Sequence, residues 1–208
     1  MKLIDQPIAA AVGAGIPVSK ARGAMLVDLG GGVSEASVIS LGGIVQAGAL
    51  RIAGDELDIA IVDYLKRTRE ILIGEITAER LKKRIGSALP TIDRGSLTVC
   101  GRDLRNGLAT TAEITSSEVR EAIREPLTEI VRMVKQTLEE TPPELSADIF
   151  DHGIVMTGGM ALLPGFDQLL RTGTGVRVTI AKQPGNCTCL GMGRMLKSAN
   201  GDFSKFVK

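Results

Sequence analysis

Residues Ala24 to Gly43, AMLVDLGGGVSEASVISLGG, constrain this chain more than any other stretch. An apolar run, Met25, Leu26 and Val27, leads into Asp28, and Gly30, Gly31 and Gly32 follow. Ser34 and Glu35 then open a second run, in which Ala36, Val38 and Leu41 alternate with small polar residues. Two strand-like runs joined by a Gly-rich turn predict a β-hairpin. Taken alone, its tip reads as an ordinary turn with solvated carboxylates. The tip also has the chemistry of an anion cradle. Glycine lets the backbone come close to a ligand, and neighbouring backbone N–H groups can converge on a phosphate. Asp28 stands just before the turn, where a carboxylate could hold a Mg²⁺ ion or its waters. Glu35 lies just after it.

A second turn changes the weight of the first. IVMTGGMALLPG puts Gly158 and Gly159 after an apolar strand, Ile154 to Met156, and before a helical pattern. Open α/β sheets place their ligand crevice at such strand ends. Two glycine turns at two strand ends, more than a hundred residues apart, are harder to explain as loops. The common phosphate motifs are absent: there is no G-x-x-x-x-G-K-[ST] and no G-x-G-x-x-G.

The rest of the chain reads as one α/β domain with an insertion. A short helix is predicted from about Pro7 to Gly13, with Gly13 as its stop. A signal peptide is disfavoured because Asp5 and Pro7 interrupt the apolar stretch. A third strand covers Ile44 to Ile52. A helix with Asp55 as its N-cap then places Leu57, Ile61, Val62 and Leu65 on one face. IGEITAERLKKRIGSA is a further helix with Ile76, Leu81 and Ile85 inward; GSLTVCGRD and LATTAEITSSE are strands. A long amphipathic helix follows, capped by Ser116 or Ser117 and carrying Val119, Ile123, Leu127, Ile130, Val134 and Leu138, with Pro126 predicted to kink it. PPELSADIFDHG is a short helix or turn. Strands at Ile154–Met156 and Val176–Ile180 flank one helix, GNCTCLGMGRMLKSA closes the fold, and Asn200 to Lys208 read as a frayed polar tail. Residues 59–115, richer in Lys, Arg and Thr, read as a small α+β subdomain. The expected class is α/β, with a mixed five-stranded sheet flanked by helices.

Charge and cysteine content narrow the function. With 25 basic and 24 acidic residues the net charge is +1, which gives no case for nucleic acid or an anionic membrane. No run of about 18 apolar residues exists to span a bilayer. Three cysteines, Cys100, Cys187 and Cys189, point to reduced thiols in a cytoplasm. The Cys187-x-Cys189 spacing is too short for a usual zinc pair, and His152, the one histidine, reads as a surface or capping residue.

LIDQPIAAAVGAGIPV, MLVDLGGGVSEASVISLGGIV, RIAGDELDIAIVDYL, GEITAERLKKRIGSA, REPLTEIV, PPELSADI and GIVMTGGMALLPGFDQLL together resemble the bacterial MreB family of actin-like rod-shape proteins. The resemblance runs from Leu3 to about Lys197 and matches the C-terminal half of a typical member. It implies the ribonuclease-H-like fold of the actin, sugar-kinase and heat-shock-chaperone ATPases, in which ATP and Mg²⁺ lie between two lobes. Residues 1–58 and 116–208 would form the second lobe (subdomain IIA), and 59–115 its insertion (subdomain IIB). Asp28, Gly30, Gly31, Gly32, Val33, Ser34 and Glu35 match the second phosphate motif, with Asp28 as the carboxylate near the metal. Thr157, Gly158, Gly159 and Met160 match the adenosine motif. Glu79, Lys82 and Lys83 match positions that flank adenine and ribose.

The departures from the pattern matter. The first phosphate motif and the segment with the water-polarising carboxylate are expected upstream of Met1. Val33 stands where the family usually has Thr, and Met160 where it has a third Gly. The resemblance therefore implies a cytoplasmic cell-shape filament protein that self-associates and carries an ATP half-site. The alternative is a non-hydrolysing binding module or filament-capping paralogue lacking the first lobe. A sugar kinase is disfavoured, since nothing here looks like a sugar pocket. ATP and Mg²⁺ binding by this chain alone are expected to be weak, and hydrolysis negligible.

Overall fold

A computed structural model describes residues 3–198; the predicted tail at Asn200–Lys208 lies outside them. Helix α1 (Gln6–Ala14) precedes strands β1 (Ala24–Leu29), β2 (Ser34–Ser40) and β3 (Gly43–Leu50). Helix α2 (Gly54–Arg69), strand β4 (Ile71–Leu72), helix α3 (Glu75–Ile85) and strands β5 (Ser96–Asp103) and β6 (Ala109–Thr115) follow. Helices α4 (Ser116–Glu139) and α5 (Pro143–His152), strand β7 (Ile154–Thr157), helix α6 (Phe166–Thr174), strand β8 (Val178–Ile180) and helix α7 (Cys187–Ser198) complete the chain.

The main sheet has the order β3-β2-β1-β7-β8. β1, β2 and β3 are antiparallel neighbours, while β1–β7 and β7–β8 are parallel, so the sheet is mixed and five-stranded as expected. Strand alternation feeds two cores. Met25, Val27 and Leu29 of β1 point into a large cluster with Leu57 of α2, Ile123 and Leu127 of α4 and Phe166 of α6. Leu26 and Ile39 point the other way, onto Ala10 and Ala11 of α1 and Cys187 of α7. A second, three-stranded sheet has the order β4-β5-β6.

Four local expectations need correction. Gly13 is not the stop of α1. The helix ends at Gly15, which is left-handed at φ +84°. A Cβ at Gly13 would lie 1.8 Å from the Cys187 carbonyl oxygen, so this glycine serves the close approach of α1 to α7. Ile76 is 86% exposed, not inward; Ala78, Leu81 and Ile85 form the buried face of α3. At 100° per residue, Ile76 lies about 140° from Leu81, whereas Ala78 and Ile85 flank it at the i−3 and i+4 positions. Asp55 does not cap α2, whose N-cap is Ala53. The cap of α4 is Thr115, not a serine. The Glu118 amide donates to the Thr115 hydroxyl, and the Glu118 carboxylate accepts from the Thr115 amide. Helix α4 runs unbroken through Pro126.

Candidate functional site at the paired glycine turns

The hairpin forms as read, with Asp28 opposite Glu35 and Leu29 opposite Ser34. The Gly30 amide closes the turn onto the Val33 carbonyl at 3.0 Å. The carbonyls of Gly30 and Gly31 turn outward to accept from the Gly54 and Asp55 amides, at 3.2 and 2.8 Å. Those two amides are orphan donors of the first turn of α2. The loop thus caps the helix with its carbonyls. This leaves the N–H groups of Gly31, Gly32 and Val33 without a partner among the described residues. Three consecutive free amides beside a helix N-terminus make an anion-binding concavity.

The second turn meets the first through β1. Thr157 pairs with Asp28 in the β1–β7 register, and its hydroxyl donates to Asp28 Oδ1 at 2.9 Å. The Gln6 amide donates to Asp28 Oδ2 at 3.1 Å. At Gly158 φ is +84°, and a Cβ there would fall 2.1 Å from the Leu29 carbonyl oxygen. Only glycine lets the two turns touch at this point.

A cleft of about 430 Å³ opens in front of them, walled by Gly30, Gly31, Asp55, Glu79, Lys82, Lys83, Gly159 and Met160, with Leu162, Leu163 and Pro164 adding apolar surface. The structure therefore gathers Gly30, Gly31, Glu79, Lys82, Lys83, Gly159 and Met160 around one space. Gly32 and Val33 form the exposed tip of the loop. Asp28, Thr157 and Gly158 stand behind the cleft. Ser34 is fully buried and its hydroxyl donates to the Ile52 carbonyl at 2.7 Å, so it is occupied within the protein.

Charge in the cleft is internally balanced. Lys82 Nζ donates to the Gly54 carbonyl at 2.6 Å and to Asp58 Oδ2 at 2.7 Å. Lys83 pairs with Glu79 at 2.6 Å. Burial pushes the Glu35 carboxyl up, a hydrogen bond from Ser37 opposes this, and the charge of Asp28 adds to the rise. Burial likewise pushes the Cys187 thiol up, with Asp28 adding to it. A bound phosphate would thus be met by amides rather than by free ammonium groups. Asp28 suits a divalent ion: it is a single carboxylate, both oxygens retain lone pairs, and Mg²⁺ commonly takes one carboxylate together with phosphate and water. Among the described residues no group of three or more His, Cys, Asp or Glu gathers as a metal cluster of its own. No described helix is long and apolar enough to cross a membrane.

Sequence reasoning missed four contributors. Gln6 on Asp28 had no motif to flag it. Asp55, whose carboxylate lies about 3.3 Å from the Cβ position of Gly31, was read as a helix cap. Leu162 and Leu163 fall in the helical pattern after the Gly-Gly turn, which gives no sign that they face the cleft.

A mixed five-stranded sheet with two glycine turns on one cleft defines an actin-like α/β fold. The backbone matches MreB5 of Spiroplasma citri bound to ADP with a TM-score of 0.91 and 34% identity, covering 96% of this chain and 61% of that one. MreB5 bound to AMPPNP matches equally, at 0.91 and 34%, covering 96% and 60%. The MamK double helical filament shares the fold at a TM-score of 0.71 and 22% identity, over 93% of this chain and 58% of that one. Residues 1–202 match the MreB/Mbl protein family, and this chain belongs to it. The cell shape-determining protein MreB of Escherichia coli strain K12 is 48% identical over 195 residues, covering 94% of this chain, and Mbl of Bacillus subtilis strain 168 is 45% identical over 194 residues, covering 93%. The chain spans 56% and 58% of the lengths of those two relatives.

Proposed function

We propose that this chain supplies one wall of an ATP cleft in an actin-like filament protein that sets cell shape. The observation that carries the proposal is that Gly31, whose amide is free, and the Gly159 turn line one cavity, with the free Gly32 and Val33 amides at the loop tip beside it. In this reading the three loop amides hold the β- and γ-phosphates. Gly159, Met160, Glu79 and the aliphatic stems of Lys82 and Lys83 flank the adenosine. Asp28, oriented by Gln6 and Thr157, holds the Mg²⁺ that neutralises phosphate charge. Residues 1–58 and 116–208 act as the ribonuclease-H-like part and 59–115 as its insertion, with α2 running across the division. Nucleotide-bound MreB5 and the filament-forming MamK support the nucleotide and the self-association respectively.

One wall provides only part of the donors, and phosphates facing water are screened. Nucleotide binding by this chain alone is therefore no tighter than the high-micromolar range, about −5 kcal/mol. A second reading, a binding module that does not hydrolyse ATP, is favoured by one feature. The side chains on Asp28 are an amide and a hydroxyl, and neither acts as a general base. Sedimentation with and without ATP·Mg²⁺, alongside phosphate release, separates the two. ATP-dependent pelleting supports the filament role, while a monodisperse chain with no phosphate release favours the module.

A further inference from the structure

Helices α2 and α4 leave a second groove of about 430 Å³, on the side of the main sheet opposite α1 and α7. Its floor is apolar, made by Ile52, Ile59, Ala60, Tyr64, Ala122 and Pro126. Ile59 is 42% exposed, far into solvent for an isoleucine on a helix. The rim is acidic. Glu121 is bonded to Arg124 at 3.0 Å and Glu129 to Arg132 at 2.9 Å. Glu56, Asp63 and Glu125 also line the groove and have no ion-pair partner among the described residues. Against these three free carboxylates stands one free guanidinium, Arg67. Uncovered apolar floor inside an anionic rim suits a segment that is both aromatic and cationic.

One part of this chain has that chemistry. Residues 199–208, ANGDFSKFVK, carry two of the chain's four phenylalanines, Phe203 and Phe206. Lys205 and Lys208 accompany them, against a single acid, Asp202. The segment follows α7, which packs with α1 on the far side of the sheet from the groove. Ten residues reach at most about 35 Å when fully extended. Helix α7 and the groove lie on opposite faces of the main sheet, so the groove of a neighbouring copy is the more direct partner.

We propose that residues 203–208 of one copy dock in the α2–α4 groove of a second copy. The lysines meet Glu56, Asp63 and Glu125, and the phenylalanines cover Ile59 and Tyr64. The two surfaces differ, so copies associate either by reciprocal exchange of the segment or head-to-tail, and the size of the species in sedimentation tells which. It uses none of the residues assigned to nucleotide and stands independently of that assignment.

The test titrates a fluorescent peptide of residues 199–208 into the full chain carrying Phe203→Ala and Phe206→Ala, which disables its own segment. The expected result is saturable binding, weakened about tenfold or more by Asp63→Lys with Glu125→Lys and by about 0.5 M salt. Binding to that charge-reversed groove should return when both peptide lysines are replaced by glutamate. Both substituted positions are exposed, and a thermal melt checks that the variant is folded. Sedimentation of the unaltered chain should show larger species that disappear in the Phe203→Ala/Phe206→Ala chain. No binding, or binding indifferent to groove charge, overturns the proposal. So does self-association that needs the groove but survives loss of the phenylalanines, since the occupant is then another surface.

Discussion

Replacing Lys82 with alanine separates a structural staple from a ligand contact. The Lys82 and Asp58 side chains are 12% and 10% exposed, and their ion pair ties α3 to α2. Asp58 Oδ1 already lacks a partner, so Lys82→Ala leaves a buried carboxylate with none. Removing one member of a buried pair costs about 3–5 kcal/mol. For a chain of this size each kcal/mol moves Tm by about 2–4 °C, so the expected fall is about 6–20 °C. The pH dependence follows from the same pair. Burial pushes the Asp58 carboxyl above its usual 3.8, and Lys82 pulls it part of the way back. Without Lys82 it rises further. A raised pKa in the folded state means that protonation favours the fold, so the penalty is full at neutral pH and fades as pH falls into the carboxylate range. Urea melts of Lys82→Ala, Asp58→Asn and the double variant, at about pH 7 and pH 5, measure this. The loss should be larger at the higher pH, and the double variant should recover much of it. A loss below about 1 kcal/mol, together with a tenfold fall in ATP affinity, would refute the staple and make Lys82 a ligand group.

Four further outcomes follow from the geometry. Gly158→Ala should destabilise by about 3 kcal/mol or more, because of its positive φ and its overlap with the Leu29 backbone. Gly159→Ala, with nothing within 4 Å of its Cβ, should change the urea midpoint little but weaken nucleotide binding. Glu35→Gln should raise Tm at pH 7 and give no gain below the usual glutamate value of 4.5, since burial and Asp28 disfavour only the charged form. Thr115→Ala removes a capping box and should cost about 1 kcal/mol in chemical denaturation.

Local signals carried most of the fold. The hairpin was legible because period-two alternation and three glycines act within a dozen residues. The β7 turn was legible because its apolar strand ends abruptly at Gly158. Long-range contacts were not. Gly13 looks like a helix stop in the sequence, and its role in the α1–α7 approach depends on Cys187. Asp55 looks like a cap because the sequence does not show that loop carbonyls satisfy the first amides of α2. The resemblance puts Lys82 beside adenine and ribose, while its pairing with Asp58, 24 residues away, required the fold. Strand β4, two residues long, has too little pattern to be seen.

The central claim is that two glycine turns serve one nucleotide, the hairpin amides its phosphates and the Gly159 turn its adenosine. Backbone amide shifts followed by NMR during an ATP·Mg²⁺ titration test it most directly. Gly31, Gly32, Val33 and Gly159 should move together on one isotherm in the high-micromolar range. Movement of the hairpin amides without Gly159, or saturation at low-micromolar ATP, would contradict it.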